Sequence, residues 1–466
     1  MSEIRTRFAP SPTGLMHLGN ARTALFSALL GESFLLRIED TDGERSRREF
    51  VDELMGDLRW LGLEWDLGPA SGEPDEHWFQ SCRGVVYQGY YDQLEAGGLA
   101  YPCFCTPAEL EIARKVQLAS GRPPRYSGKC ANLTPDDVVA RRQQGLTSTL
   151  RFRVPKQSQV AFEDGVRGTQ QFATDDIGDF IIRRADGSAA FFFCNAIDDA
   201  LMGVNLVMRG EDHLTNTPRQ ILILQALALP IPCYAHGSLI LGDDGAPLSK
   251  RNGSRSINEM REQGYFPLAL INMMARLGHH YDNDELMDWP QLKSGFSLAH
   301  LGRSPARFDP VHLDHWQSLA MRAVSDDGLD AWLPGETRAI VPSARQGVFR
   351  DIVRSNCMFP AQADEWARIL FTDERHLHED ARGAANEAGE SFFLAALDAA
   401  NAAGADFEGF MAQLKSVTGA KGKGLFMPLR AALTGRHDGP ELALLYRIID
   451  THRLHRRLAE FTYMSE

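Results

Sequence analysis

The chain of 466 residues is short of lysine, with eight against 41 arginines. It also lacks a positive excess, a long apolar run and an even number of cysteines. Each absence excludes something. A net charge of -13 argues against a protein that coats nucleic acid nonspecifically, whereas a binder of one structured RNA needs only local basic patches. The most apolar stretch, FFFCNAIDDALMGVNLVM, carries carboxylates and is too short to span a bilayer. The opening MSEIRTRFAPSPTG lacks the basic-then-apolar pattern of a secretory leader. The seven cysteines stand at 82, 103, 105, 130, 194, 233 and 357, and suit a reduced compartment better than a disulfide framework. The expectation is a cytoplasmic protein with no membrane partner, monomeric or weakly associating. Its length predicts about two to four domains.

What is there has an order. Residues 4–8, IRTRF, read as a strand running into APSPTG, whose prolines and glycine break regular structure. HLGNARTALFSALL then places apolar residues at 18, 21, 25, 28 and 29, as an amphipathic helix does. SFLLRIED reads as a strand ending in carboxylates, and residues 47–61 as a helix. That alternation predicts an α/β fold with a parallel sheet. A helix is expected at 84–96 and a strand at 149–154. Residues 85–188 read as an insertion between two halves of the α/β domain, 1–84 and 189–241. A further segment, 242–304, leads into helix after helix over 305–466. No internal repeat stands out.

Several clusters could carry chemistry. His17 and Asn20 stand where a helix begins, with Gly14 and Gly19 allowing close approach, so both could reach a phosphate at that helix start. A turn histidine with no task fits equally well. Lys250, in LGDDGAPLSKRNG, could be a mobile charge toward phosphate or an idle loop lysine. Cys103, Cys105, Tyr126 and Cys130 form C-x-C-x20-Y-x3-C, a ligand set for Zn²⁺ or simply three free thiols. They flank an expected helix, 107–119, that would bring the two pairs together. RIEDTD at 37–42 and Arg209, Glu211, Asp212 and His213 each follow a strand, where α/β folds bind ligands. Asn195, Asp198 and Asp199 lie in an apolar segment, so the charged pair needs a counter-charge. Arg209, a ligand or a plain structural ion pair could supply it.

Together these clusters resemble the bacterial glutamyl-tRNA synthetases, of the class I aminoacyl-tRNA synthetases. The resemblance runs through RFAPSPTGLMHLGNARTALF, LLRIEDTD, DDALMGVNLVMRGEDHLTNTPRQ, LSKRNG and KGKGLFMPLRAALTGRHDGPEL, covering essentially the whole chain. It implies a Rossmann-like parallel-sheet catalytic domain with an inserted acceptor-binding domain. A signature-loop and stem-contact domain (242–304) and a helical anticodon-binding domain (305–466) would follow. His17, Gly19 and Asn20 would be the first signature, holding ATP with Glu211. Leu248, Ser249, Lys250 and Arg251 would be the second, where Lys250 and Arg251 meet charge building on the α-phosphate and departing pyrophosphate. Arg7, Ser11, Glu39, Phe191, Asn195 and Arg209 would surround L-glutamate, and Arg209 would select its side-chain carboxylate. The cysteine–tyrosine set resembles a structural Zn²⁺ site in the inserted domain. Two departures are visible: Pro247 stands where the family usually has a second lysine, and Phe191 where it has tyrosine. The implied reaction activates glutamate with ATP and Mg²⁺, then charges tRNA-Glu, or also tRNA-Gln. Alternatives are a second copy serving mainly tRNA-Gln and a shorter relative that glutamylates a tRNA base. The long helical C-terminal region argues against the latter.

Overall fold

The computed structural model describes residues 3–121, 124–242, 244–246, 248 and 255–462. The chain divides into two compact units, one of residues 1–261 and 267–313, the other of 262–266 and 314–466.

The first unit is built on parallel pairing. Strand β1 (Arg5–Phe8) pairs with β2 (Ser33–Leu36) across helix α1 (Leu18–Leu30). All four β2 residues are buried, as in a sheet covered on both faces. The expected strand through RIED ends at Leu36 as a ladder element. Arg37 N still donates to Phe8 O and Glu39 N to Pro10 O. Pro10 has no N–H to return, so regular pairing stops there. Helix α2 (Arg48–Trp60) follows, then α3 (Gly84–Ala96).

The next segment forms a separate antiparallel sheet of β3 (Ala100–Cys103), β4 (Thr149–Phe152) and β7 (Phe180–Arg183), with β4 central. Helices α4 (Pro107–Ala119) and α5 (Pro135–Gln143) join β3 to β4. Each starts with a threonine capping box and a proline in its first turn, so the sequence fixes both starts. Between β4 and β7, the hairpin β5 (Gln159–Asp164) and β6 (Gly168–Ala173) leaves this sheet, followed by the short α6 (Thr174–Ile177). Asp164 of β5 pairs in parallel with Tyr234.

Tyr234 belongs to β9 (Cys233–Gly237), which pairs in parallel with β8 (Leu206–Gly210). Helix α7 (Phe191–Leu201) precedes β8, and α8 (Thr217–Ala226) connects β8 to β9. Asn205, entering β8, donates its N–H to Arg5 O and accepts from Arg5 N through its side chain at 2.8 Å. The β1-β2 pair and the β6-β5-β9-β8 sheet are separate ladders, and this contact sets β1 beside β8. The C-terminal ends of β1 and β8 lie side by side, which is where an open parallel sheet presents ligand-binding residues.

The second unit is helical. Its core gathers Phe349, Trp366, Phe393, Leu414, Leu425, Leu445 and Phe461. Gly264 has φ +93°, and a Cβ there would sit 2.2 Å from Pro360 Cδ, so only glycine fits. Buried Gln317 bonds Gly264 O and Met358 O, tying residues 262–266 into this unit.

Candidate active site

The ends of β1, β8 and α7 enclose a cavity of about 750 Å³. Arg7, Ser11, Glu39, Phe191, Asn195 and Arg209 all line it, so residues spread over 200 positions meet at one place. Gly19, Asn20 and Leu248 line the same cavity. His17 does not. It is the N-cap of α1, and its backbone forms a bridge with Ser256, while Ile257 N donates to Met16 O at 2.9 Å. Leu248 N donates to Ile240 O at 2.8 Å. The chain on both sides of 249–254 is thus fixed beside the first motif. Ser249, Lys250, Arg251 and Pro247 lie outside the described residues.

Arg209 is buried and held by neutral groups. Its Nε donates to His236 Nε2 at 3.1 Å, and its Nη2 to Thr217 Oγ1 at 2.7 Å and Gln220 Oε1 at 2.8 Å. Nη1 is buried without a hydrogen-bond partner among the described residues. Burial, with the nearby Arg7 charge, pulls the Arg209 pKa down to about 10, so it remains a cation at neutral pH without a directly bonded anion. Phe191 stacks on His213 with ring centres 5.4 Å apart. Burial lowers the His213 pKa to about 4, so that ring is neutral at pH 7.

Asn195 is fixed at both ends. Its Oδ1 accepts from Arg37 at 2.9 Å, and its Nδ2 donates to Glu39 at 3.0 Å and to Phe191 O at 3.2 Å. Burial raises the Glu39 pKa. Asp198 and Asp199 take their counter-charges from Arg37, Arg83 and Arg7, and not from Arg209. Of the partners the sequence left open, the structural ion pair is the one present. Arg209 is unsuited because it hangs from β8 and bonds back toward α8 and β9. Glu211 does not line the cavity. Its carboxylate accepts from Leu239 N at 2.8 Å and pairs with Arg167.

Outside this cavity, the sulfurs of Cys103, Cys105 and Cys130 lie within 4.8 Å of one another. The Tyr126 hydroxyl is 3.3 Å from Cys103 Sγ and 3.5 Å from Cys105 Sγ. Helix α4 lies between the two halves of this set, as expected. The Cys105–Cys130 sulfur separation is 3.7 Å. Tetrahedral Zn²⁺ with Zn–S bonds of about 2.3 Å would hold thiolates roughly 3.8 Å apart, so the cluster fits the ion. Burial raises the Cys103 pKa, but hydrogen bonds with Tyr126 and Arg151 outweigh it and bring it to about 7. Arg151 also sits 3.8 Å over the Tyr126 ring. Between this cluster and α7 lies a further cavity of about 880 Å³, lined by Arg125, Lys129, Arg151, Arg184, Arg219 and Phe191 among others.

Residues 3–315 match the catalytic domain of class I tRNA synthetases for E and Q, and residues 350–462 an anticodon binding domain. The chain belongs to the class I tRNA synthetases. It is 68% identical over 466 residues to "Glutamate--tRNA ligase 1" of Methylococcus capsulatus, covering 100% of both chains. It is 55% identical to "Glutamate--tRNA ligase 2" of Nitrosococcus oceani, covering 98% of this chain and 97% of that one. A crystal structure of a glutamate tRNA ligase from Elizabethkingia meningosepticum, in complex with its amino acid, superposes with a TM-score of 0.88. It is 27% identical and covers 100% of each chain. The expected α/β synthetase fold with a helical anticodon region is the fold observed. The family is an enzyme family that uses ATP with Mg²⁺. No described helix is long and apolar enough to cross a membrane.

Sequence reading of this synthetase missed three groups that shape the site. Arg37 was grouped with the carboxylates after it as one charged cluster, yet it is fully buried. His236 and Asp164 belong to none of the motifs singled out. The available signal was a histidine inside an apolar strand, YAHG, which alone reads as a satisfied core residue.

Proposed function

We propose that this synthetase is a glutamate–tRNA ligase. It joins the α-carboxylate of L-glutamate to the α-phosphate of ATP, releasing pyrophosphate, then passes the glutamyl group from the adenylate to the 2′-hydroxyl of the terminal ribose of tRNA-Glu, releasing AMP. The observation that carries the amino-acid choice is Arg209, a cavity-lining residue whose buried guanidinium has neutral partners and one nitrogen without a hydrogen-bond partner among the described residues. A substrate carboxylate supplies its counter-charge. Glutamine would turn an amide NH₂ toward a group that has donors only. Arg7 and Glu39, held by Asp199 and Asn195, bind the amino-acid backbone groups, with Ser11 on Glu39 at 3.3 Å. Phe191 forms the aromatic wall.

Asn20 and the start of α1 receive the ATP phosphates, with His17 beside them. Lys250 and Arg251 then stabilise the charge developing on the α-phosphate. Mg²⁺ bound with ATP offsets phosphate charge. Catalysis is mainly placement and charge stabilisation. The tRNA end enters by the basic cavity beside α4 and passes Phe191, which lines both cavities. Cys103, Cys105, Tyr126 and Cys130 would hold Zn²⁺, which would brace that entrance without meeting the reacting atoms. The protein works as a cytoplasmic monomer.

Glutamate-dependent pyrophosphate exchange, run with and without tRNA, tests the enzyme reading, and its absence under every tRNA condition refutes it. Aminoacylation of purified tRNA-Glu and tRNA-Gln tests the substrate. Charging confined to tRNA-Gln would replace this reading with that of a specialised second copy.

A further inference from the structure

The hydrogen bonds around Arg209 fix a proton. A guanidinium Nε–H can only donate, so His236 Nε2, 3.1 Å away, must accept. The ring proton therefore sits on Nδ1, which faces Asp164 Oδ2 at 2.5 Å. Asp164 is itself immobilised. Its Oδ1 accepts from Val166 N at 3.0 Å, Arg167 N at 2.8 Å and His236 N at 3.2 Å. All three side chains are at least nine-tenths buried, with exposures of 4% for Asp164, 0% for His236 and 5% for Arg209. Strand register puts His236 directly beside Arg209 on the neighbouring strand.

The geometry has a directional consequence. His236 sets the Nε edge of the guanidinium, and Thr217 with Gln220 sets Nη2. Among the described residues, only Nη1 lacks a hydrogen-bond partner. Thr217 Oγ1 also lies 3.0 Å from His236 Nε2; since it accepts from Arg209 Nη2, its own proton is free to donate to Nε2. With the opposite tautomer, Nε2–H would face Nε–H, two donors head to head, and the guanidinium would have to turn. The carboxylate of Asp164 disfavours that tautomer because it accepts and cannot donate.

We propose that Asp164 and His236 are a positioning pair for substrate choice. They hold the Arg209 guanidinium in the one orientation that presents Nη1 to a carboxylate. Neither touches the substrate. Asp164 comes from the β5–β6 hairpin, so a strand contributed from within residues 85–188 reaches the specificity group through two hydrogen bonds. The inference rests on the reading of Arg209 as the carboxylate-binding residue.

The test measures KM for glutamate, glutamine and ATP by pyrophosphate exchange at saturating tRNA. Full-length His236→Phe, His236→Gln, Asp164→Asn and Arg209→Gln are compared, with Tm recorded for each. His236→Phe should raise glutamate KM at least about tenfold and lower the glutamate-over-glutamine preference by a similar factor, with ATP KM within about twofold. His236→Gln, whose amide oxygen can accept from Nε, should recover most of both. A merely structural role would lower Tm and kcat while leaving the preference alone. A folded His236→Phe protein with glutamate KM and preference within twofold of wild type overturns the inference. If Arg209→Gln also leaves glutamate KM unmoved, it is the reading of Arg209 that fails. If Arg209→Gln raises it and His236→Phe does not, the positioning pair alone fails. Should His236→Phe not fold, Asp164→Asn decides. A rise of about threefold or more in glutamate KM is expected, and no rise overturns the proposal.

Discussion

Two buried arginines serve the same cavity in opposite ways. Arg37 is ringed by anions, with Asp199 at 2.7 Å and Asp198 at 4.0 Å. Burial would lower its pKa, but Asp199 and Asp198 outweigh burial and push it up. Among the described residues Arg209 hydrogen-bonds to histidine, threonine and glutamine, and its pKa falls to about 10. A buried ion that is already paired cannot gain much from a ligand, whereas one without its counter-ion can. Arg37 therefore organises the buried ion pairs beneath the site, and on the proposed reading Arg209 is the group left for the substrate to complete. Burial alone does not separate these roles; the charge of the nearest partners does.

This contrast can be broken from either side. The largest effect is expected at the paired site. Arg37→Met leaves Asp198 and Asp199 short of a counter-charge in the interior and should destabilise the protein by about 3–5 kcal/mol. Thermal or denaturant unfolding checks this, and a loss below about 1 kcal/mol would remove Arg37 from its structural role. Arg209→Gln should do the reverse, leaving Tm nearly unchanged while glutamate kcat/KM falls by the equivalent of about 2–5 kcal/mol. Lys250→Ala should cost about 2–4 kcal/mol in kcat for exchange, with glutamate KM moving less. An unchanged kcat would dismiss the loop lysine.

A smaller effect comes from the mirror image of Arg209. Asp57 on α2 is a fully buried carboxylate, neither oxygen of which is hydrogen-bonded among the described residues, 3.8 Å from Arg261. Burial raises its pKa to about 6. The folded state then holds a proton that the unfolded chain has released, so Asp57 opposes folding increasingly as pH rises from about 4 to 6. Asp57→Asn should raise Tm above pH 6, and the gain should fade as pH drops toward 4. Equal gains at pH 4 and pH 8 would contradict the assignment.

How much of this was legible beforehand follows from distance along the chain. The β1–α1–β2 order, α3, and α4 between the two halves of the cysteine set are local patterns of spacing, capping and breakers, and the sequence displays them directly. The six residues around the amino-acid cavity were reachable because short motifs with a family resemblance carry them. The partners of Asp198 and Asp199 were not, because Arg37 lies some 160 positions away and nothing near it marks it as buried. Asp164 and His236 are 72 positions apart and meet only because a hairpin leaves one sheet to join another. Pairing across elements of that separation leaves no periodic trace.

The bridge between His17 and Ser256 and the bond from Leu248 to Ile240 are made by main-chain atoms. They are blind to side-chain identity, so substitutions within 249–254 can change charge without releasing either tether. Because both contacts are independent of side-chain identity, a change of charge in the second motif is separable from the fixing of its flanks, so the loss of rate in Lys250→Ala can be read as a loss of charge and not of anchorage.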